Sequence, residues 1–292
     1  MDRFKYLIES DRDQKWGLSI SDVGFEEISK DDQYPKVNHP NNYRFDVKRG
    51  RVLNEYQIVY IIQGEGFLET RHLNNMIKVS QGMIFLLFPK EWHTYFPDNN
   101  TGWKAYWIGF KGANIDNRVL EGFLSVQEPL FRVGINDELI RLFQQAIDVA
   151  EREEPFYQQL LAGITNYIIG LMYSLDKNTH INKSDELVEI INSMRAIMRS
   201  NIEKEFDIKK IASSINISYE SFRKIFKEYT GFSPCRYFQD LKMSKAKEWL
   251  ITSNMTIKEI AYRLNFDTPD YFSAQFKKKT GYKPSDYRKL IG

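Results

Sequence analysis

The last third of this chain repeats itself. Ile208-Lys-Lys-Ile-Ala212 recurs as Ile257-Lys-Glu-Ile-Ala261, and Asn216 recurs as Asn265. After a one-residue step, Phe222, Phe226, Lys227, Thr230, Gly231, Pro234 and Tyr237 match Phe272, Phe276, Lys277, Thr280, Gly281, Pro284 and Tyr287. So many identities in one frame mark two copies of one supersecondary unit. Each copy reads as helix, short turn, helix. In the second copy Thr256 and Glu259 form a capping box, the hydroxyl and the carboxylate satisfying orphan N–H groups reciprocally. Thr268 and Pro269 supply the N-cap and first position of the next helix. Gly281 stops that helix, because glycine adopts the left-handed C′ conformation without a Cβ penalty. Asp207, Ser218 and Gly231 fill the same three roles in the first copy. Phe222, Ile225, Phe226 and Tyr229, like Phe272 and Phe276, recur at helical spacing and are read as core, not as a platform for stacking bases.

Between the copies, Ser233 and Pro234 open a connecting helix to about Leu250, with Phe238, Leu241, Ala246 and Leu250 on its apolar side. Its length is roughly 27 Å. That would hold the two second helices roughly 34 Å apart, one DNA turn, so that both enter successive major grooves. Charge points the same way. From Asp185 onward the chain carries 20 basic and 14 acidic side chains, against 21 and 25 before it. The net charge of +2 therefore conceals an acidic front and a basic back, and only the back suits a polyanion.

The front is strand-like from Trp16 to Phe110. Trp16–Val23, Tyr56–Ile62, Gly82–Phe88 and Trp103–Phe110 are rich in β-branched and aromatic residues. Turn signals at Gln63–Gly66, Leu73–Asn75, Ser80–Gly82 and Pro97–Gly102 separate them. Short strands at this spacing predict a β-barrel or jelly roll. Helical periodicity then takes over from Asp137 to Arg152 and from Phe156 to Leu175, broken by Glu151-Arg-Glu-Glu-Pro155. These helices would close the barrel's open end or pair with a second protomer. The polar, aperiodic stretch Asp176–Asp185 reads as a linker. The predicted organisation is thus mixed and two-domain: residues 1–175 a barrel with following helices, 176–185 a linker, and 186–292 an all-α domain with two helix-turn-helix motifs. No apolar run reaches the roughly 18 residues that span a bilayer, and Met1–Ser10 lacks a secretory apolar core. With a single cysteine, Cys235, there is no disulfide framework. A cytoplasmic protein is expected.

Ile257-Lys-Glu-Ile-Ala-Tyr-Arg-Leu-Asn-Phe, Tyr271-Phe-Ser-Ala-Gln-Phe-Lys-Lys-Lys-Thr-Gly-Tyr and Pro284-Ser-Asp-Tyr-Arg make the back of the chain, from about Ser193 to Leu290, resemble the AraC family of bacterial transcription regulators. Gly64-Glu-Gly66, Gly82–Pro89 and Trp92–Tyr95 resemble that family's cupin-like effector domain more loosely. The resemblance implies sequence-specific binding to a double-stranded DNA operator, a small-molecule effector, a homodimer, and RNA polymerase as a further candidate partner. Base contacts come from the first turns of a recognition helix, away from its apolar stripe. This selects Glu220, Arg223 and Lys224 in the first copy and Asp270, Ser273 and Ala274 in the second. Many family members carry arginine where Ala274 stands, so the second motif is expected to make fewer direct base contacts. Lys227, Lys277, Lys278, Lys279 and Arg288 are read as phosphate contacts, which position without specifying.

Cupin folds also serve metal-dependent enzymes, and an effector-free architectural DNA binder is a further alternative. A metal site needs several His or carboxylate ligands from neighbouring strands. The histidines are His39, His72, His93 and His180, with no His-x-His pair after the first Gly-x-Gly turn, and Glu69 with His93 is too few. No cofactor, metal or catalytic residue is expected. What the barrel offers instead is aromatic and polar residues of the kind that bind sugars. The resemblance implies a pocket arginine at Arg49 or Arg51, with Tyr95 and Trp107 as pocket aromatics, and the chemistry adds Glu55, Trp92 and His93. Ala105 stands where arabinose-sensing relatives carry histidine.

Overall fold

The computed structural model describes residues 2–36, 39–40, 45–180, 185–204, 206–208 and 218–291. The chain divides into two units, Met1–Asn182 and Lys183–Gly292. Strands β1 (Arg3–Tyr6), β2 (Ser19–Ile28), β3 (Arg51–Val52), β4 (Tyr56–Thr70), β5 (Ile77–Ser80), β6 (Met83–Leu87), β7 (Trp92–Pro97), β8 (Trp103–Lys111) and β9 (Leu130–Arg132) form the first unit with helices α1 (Asp11–Gln14), α2 (Ala113–Leu120), α3 (Asp137–Arg152) and α4 (Tyr157–His180). The main run is ordered β1-β2-β8-β4-β6-β9. The far half of β4 pairs instead with β5 and β7, and β7 also pairs with β3.

The expected turn at Gln63–Gly66 is not a chain reversal, because it lies inside β4. The register against β8 slips between Ile61 and Gln63, and Gly64 sits at φ 81°, where a Cβ would overlap the Gly102 carbonyl. A bulge at glycine bends the strand from one sheet into the other. The turn signal therefore marks a barrel corner.

Strand alternation sorts the side chains into two cores. Ile58, Tyr60, Ile108 and Phe110 face outward onto α3 and α4, meeting Leu139, Phe143, Ile147, Leu161 and Ile168. Val59, Ile61, Phe85, Tyr95, Trp103 and Ala105 face the barrel interior. The two helices thus pack on the sheet's outer face and do not close its open end. Helix α3 has the bounds its periodicity predicts, with Asn136 as N-cap and Glu153 ending it at φ 47°. Helix α4 runs past Leu175 to His180, so the expected linker is helical over 176–180. Asp176 is buried, and its carboxylate accepts from the Arg132 backbone N–H at 2.8 Å, tying α4 to β9. A carboxylate used this way looks like linker in sequence. Residues 181–184 lie outside the described ones.

The second unit contains α5 (Asp185–Ser200), α6 (Tyr219–Thr230), α7 (Pro234–Thr252), α8 (Ile257–Arg263), α9 (Pro269–Thr280) and α10 (Pro284–Ile291). The expected first helix of the first copy, residues 209–217 with Asn216, lies outside the described residues. Ser218 accepts from Ser221 N at 3.2 Å and Thr268 from Tyr271 N at 3.1 Å, the N-caps read from sequence. Gly231 and Gly281 end α6 and α9 at φ 78° and 82°. Thr256 and Glu259 form the expected capping box on α8. Asn265, at φ 54°, makes the left-handed turn into α9, which asparagine tolerates better than most residues. Helix α7 spans about 28 Å and serves both copies. Its Phe238 joins Phe222 and Phe226 in one core, while Ala246 and Leu250 join Phe272 and Phe276 in the other. Among the described residues, no helix is long and apolar enough to cross a membrane.

Candidate functional site

The barrel interior opens into a cavity of about 60 Å³, which the open mouth extends to about 570 Å³ of empty space. The cavity's walls come from β1, β2, β3, β4, β7 and β8 and from Tyr34, Pro35, His39 and Phe45 between β2 and β3. The β2–β8 register sets Gly24 opposite Trp107 and Glu26 opposite Ala105. A Cβ on Gly24 would collide with the Trp107 ring, so this glycine makes room for the indole.

Arg51 is the polar centre. Its Nη2 donates to the Tyr95 hydroxyl at 2.6 Å and reaches Gln57 Oε1 at 3.5 Å. Its Nε points to His93 Nε2 at 3.4 Å, and the guanidinium carbon lies 4.5 Å from the centre of the Phe45 ring. His93 Nδ1 lies 3.1 Å from the Glu91 carbonyl, which leaves Nε2 as the acceptor for Arg51. Burial, reinforced by the Arg51 charge, lowers the His93 pKa to about 4 and keeps the ring neutral at pH 7. His39, also in the lining, bridges Glu26 Oε1 at 3.0 Å and the Tyr6 hydroxyl at 2.7 Å.

Of the residues singled out in sequence, Arg51, Tyr95 and Trp107 line this cavity. Arg49 does not. Its side chain is 88% exposed beside Asp46, in the turn before β3, while Arg51 is in β3 and paired with His93. Trp92 is a pin for that turn, its indole N–H donating to the Arg49 carbonyl at 2.9 Å. His93 lies behind Arg51 and holds it, and Glu55 stands outside the lining. The sequence reading missed Glu26, Gln57, Tyr34, His39 and Phe45 as lining residues. A signal was present for the first. Asp22, Gly24 and Glu26 occupy alternate inward positions of β2, a polar stretch that ends at the apolar Ile28.

In the second unit, Glu220, Arg223, Lys224 and Lys227 are exposed on α6, away from buried Phe222 and Phe226. On α9, Asp270, Ala274, Lys277 and Lys278 are exposed and Ser273 is half-buried. Two expected phosphate contacts are engaged elsewhere. Lys279 forms an ion pair with Asp240 of α7. Arg288 donates from Nε to the Leu250 carbonyl at 3.0 Å and from Nη2 to the Met255 carbonyl at 2.6 Å, closing the C-terminal end of α7. A cation bonding to a neighbouring helix's last carbonyls looks, in sequence, like any surface cation.

The family model for the AraC-like ligand binding domain matches residues 32–164, and that for a helix-turn-helix domain matches residues 211–290. The chain belongs to the AraC family. As such it is a transcription regulator, not an enzyme, with a ligand-binding domain in front and a DNA-binding domain behind. It is 28% identical over 256 residues to the raffinose operon transcriptional regulatory protein of Pediococcus pentosaceus, covering 86% of this chain and 90% of that one. It is 26% identical over 267 residues to the lactose operon transcription activator of Staphylococcus xylosus, covering 87% and 89%. Against the MmsAB operon regulatory protein of Pseudomonas aeruginosa the identity is 24% over 241 residues, covering 82% and 76%.

Proposed function

We propose that this AraC-family regulator is controlled by a sugar bound in the barrel cavity and reads its operator chiefly through α6. The observation that carries the effector class is the placing of Arg51, Gln57 and Glu26 among the faces of Trp107, Trp103 and Phe45 in one cavity. Aromatic faces cover the C–H patches of a sugar ring, while the guanidinium, amide and carboxylate bond its hydroxyls. That two relatives are named for raffinose and lactose operons supports the same class. On the DNA side, Arg223 pairs with guanine and Glu220 accepts from cytosine. Lys227, Lys277 and Lys278 take phosphates. The regulator acts as a homodimer, a reading supported by Leu160 and Tyr167, which stay half-exposed on α4.

Thermal unfolding of the full chain against a panel of mono- and disaccharides tests the effector class. A sugar at about 100 times its Kd adds roughly 2.7 kcal/mol to the stability of the unit that binds it, a shift of several degrees. No shift with any sugar would remove the sugar from this reading.

A further inference from the structure

Phe238, Lys242, Ala246 and Leu250 follow one another at four-residue steps along α7, so a lysine sits within an otherwise apolar stripe. Among the described residues it is the one lysine or arginine that is buried. Burying an ammonium is costly unless its charge and its donors are met. Burial accordingly lowers the Lys242 pKa, against the pull of the Asp267 carboxylate. Two aromatic rings and a carbonyl meet the group. Nζ lies 5.2 Å from the centre of the Phe238 ring, in the core of the first copy, and 5.2 Å from that of Phe266, in the core of the second. It donates to the Asn265 carbonyl at 3.3 Å. Asn265 is the left-handed residue of the turn between α8 and α9. The N–H groups of that turn bond back into α8, Asn265 to the Tyr262 carbonyl at 2.9 Å and Phe266 to the Ala261 carbonyl at 3.0 Å. The bond from the turn to α7 is made by Lys242.

We propose that Lys242 is a positioning residue for DNA reading: by lying against both cores and holding the Asn265 carbonyl, it sets the direction in which α9 leaves its turn relative to α6. An apolar side chain of the same length would still pack on Phe238 and Phe266. It would not hold the carbonyl, and the entry angle of α9 would be left to the apolar contacts alone. Two helices carried by one chain reinforce each other on DNA only while their geometry lets both engage at once. The ammonium is turned inward, so the role is not a phosphate contact. Nor is it a demand of stability, because an apolar side chain of similar volume in place of a buried charge is often neutral or stabilising. Stability and DNA reading therefore part at this residue. Neither the sugar nor the assignment of base contacts enters this role.

The test compares one whole site with its parts. The native full-length chain selects an operator from random DNA, and footprinting divides one protomer's site into the segments under the two motifs. Affinity is then measured for the whole site and for duplexes cut back to either segment. The native chain is expected to bind the whole site far more tightly than either segment. Lys242→Met is expected to weaken the whole site by about tenfold or more, to no better than the tighter segment, while both segments bind as before. Its thermal midpoint should stay within a few degrees of the native value or rise. Lys242→Arg, which keeps the charge and a donor, should recover most of the advantage of the whole site. A loss shared equally by the whole site and the segments would overturn the proposal, as would an unchanged affinity for the whole site. A native chain that gains nothing from the whole site would overturn it too. Should Lys242→Met fail to fold, Lys242→Gln keeps a polar end but falls short of the Asn265 carbonyl. It is expected to lose the whole-site advantage in the same way, and keeping that advantage would count against the proposal.

Discussion

Helices α6 and α9 are the same device built twice and faced differently. Phe222 and Phe226 are buried in one, Phe272 and Phe276 in the other. Thr230 and Thr280 bond back to the Phe226 and Phe276 carbonyls at 2.7 and 2.8 Å, and accept from the amide N–H groups of Phe232 and Tyr282, each at 3.2 Å. Outward, α6 shows Glu220, Arg223 and Lys224, where α9 shows Asp270, Ser273 and Ala274. Residues that build the motif recur, because a cavity in either core costs several kcal/mol. Residues that face the partner are free to diverge. At these three matched positions the long donors that bidentate base readout needs stand on α6 alone.

The comparison breaks first at its strongest point. Phe226→Ala and Phe276→Ala should each destabilise the second unit by about 3–5 kcal/mol in denaturant unfolding. Losses differing by more than about 2 kcal/mol would show that the two cores are not equivalent. Next, Arg288→Ala should cost about 1.5–3 kcal/mol of stability, the worth of hydrogen bonds from a charged group. The salt dependence of DNA binding should not change, and a shallower slope would return Arg288 to the phosphate contacts. Arg223→Ala should lose about 1–3 kcal/mol of discrimination between a selected operator and random DNA. Ser273→Ala should lose far less, and equal losses would erase the asymmetry between the helices. Smallest, Lys278→Ala should weaken selected and random DNA alike and reduce the log–log salt slope by about 0.9. A loss confined to the selected operator would make Lys278 a reader of bases.

How much of this was legible in the sequence follows from how far apart the cooperating residues lie. Caps, stops and stripes of α6 to α9 involve partners within four residues, so Ser218, Gly231, Thr256 and Thr268 are readable one motif at a time. The same holds for α3. The cavity draws on β1, β2, β3, β4, β7 and β8 and on Tyr34, His39 and Phe45, residues spread from Tyr6 to Trp107, so no local window contains more than a fraction of its walls. Arg51, Tyr95 and Trp107 were reached through family resemblance, and Arg51 could be separated from Arg49 only once β3 was seen paired with β7. Gln63–Gly66 misled because glycine marks a corner as well as a turn. Asp176 and Arg288 misled for a shared reason. Each is a charged side chain satisfied by backbone groups far away in sequence, at Arg132 for the first and at Leu250 and Met255 for the second.

The most direct test joins the two units in one number: the affinity of the full-length protein for its selected operator, with and without the sugar that raises its thermal midpoint. Control by the barrel predicts a change of roughly 5- to 150-fold, the range of a coupling of about 1–3 kcal/mol. An unchanged affinity for that operator, and for operators of altered half-site spacing, with the sugar demonstrably bound would contradict it.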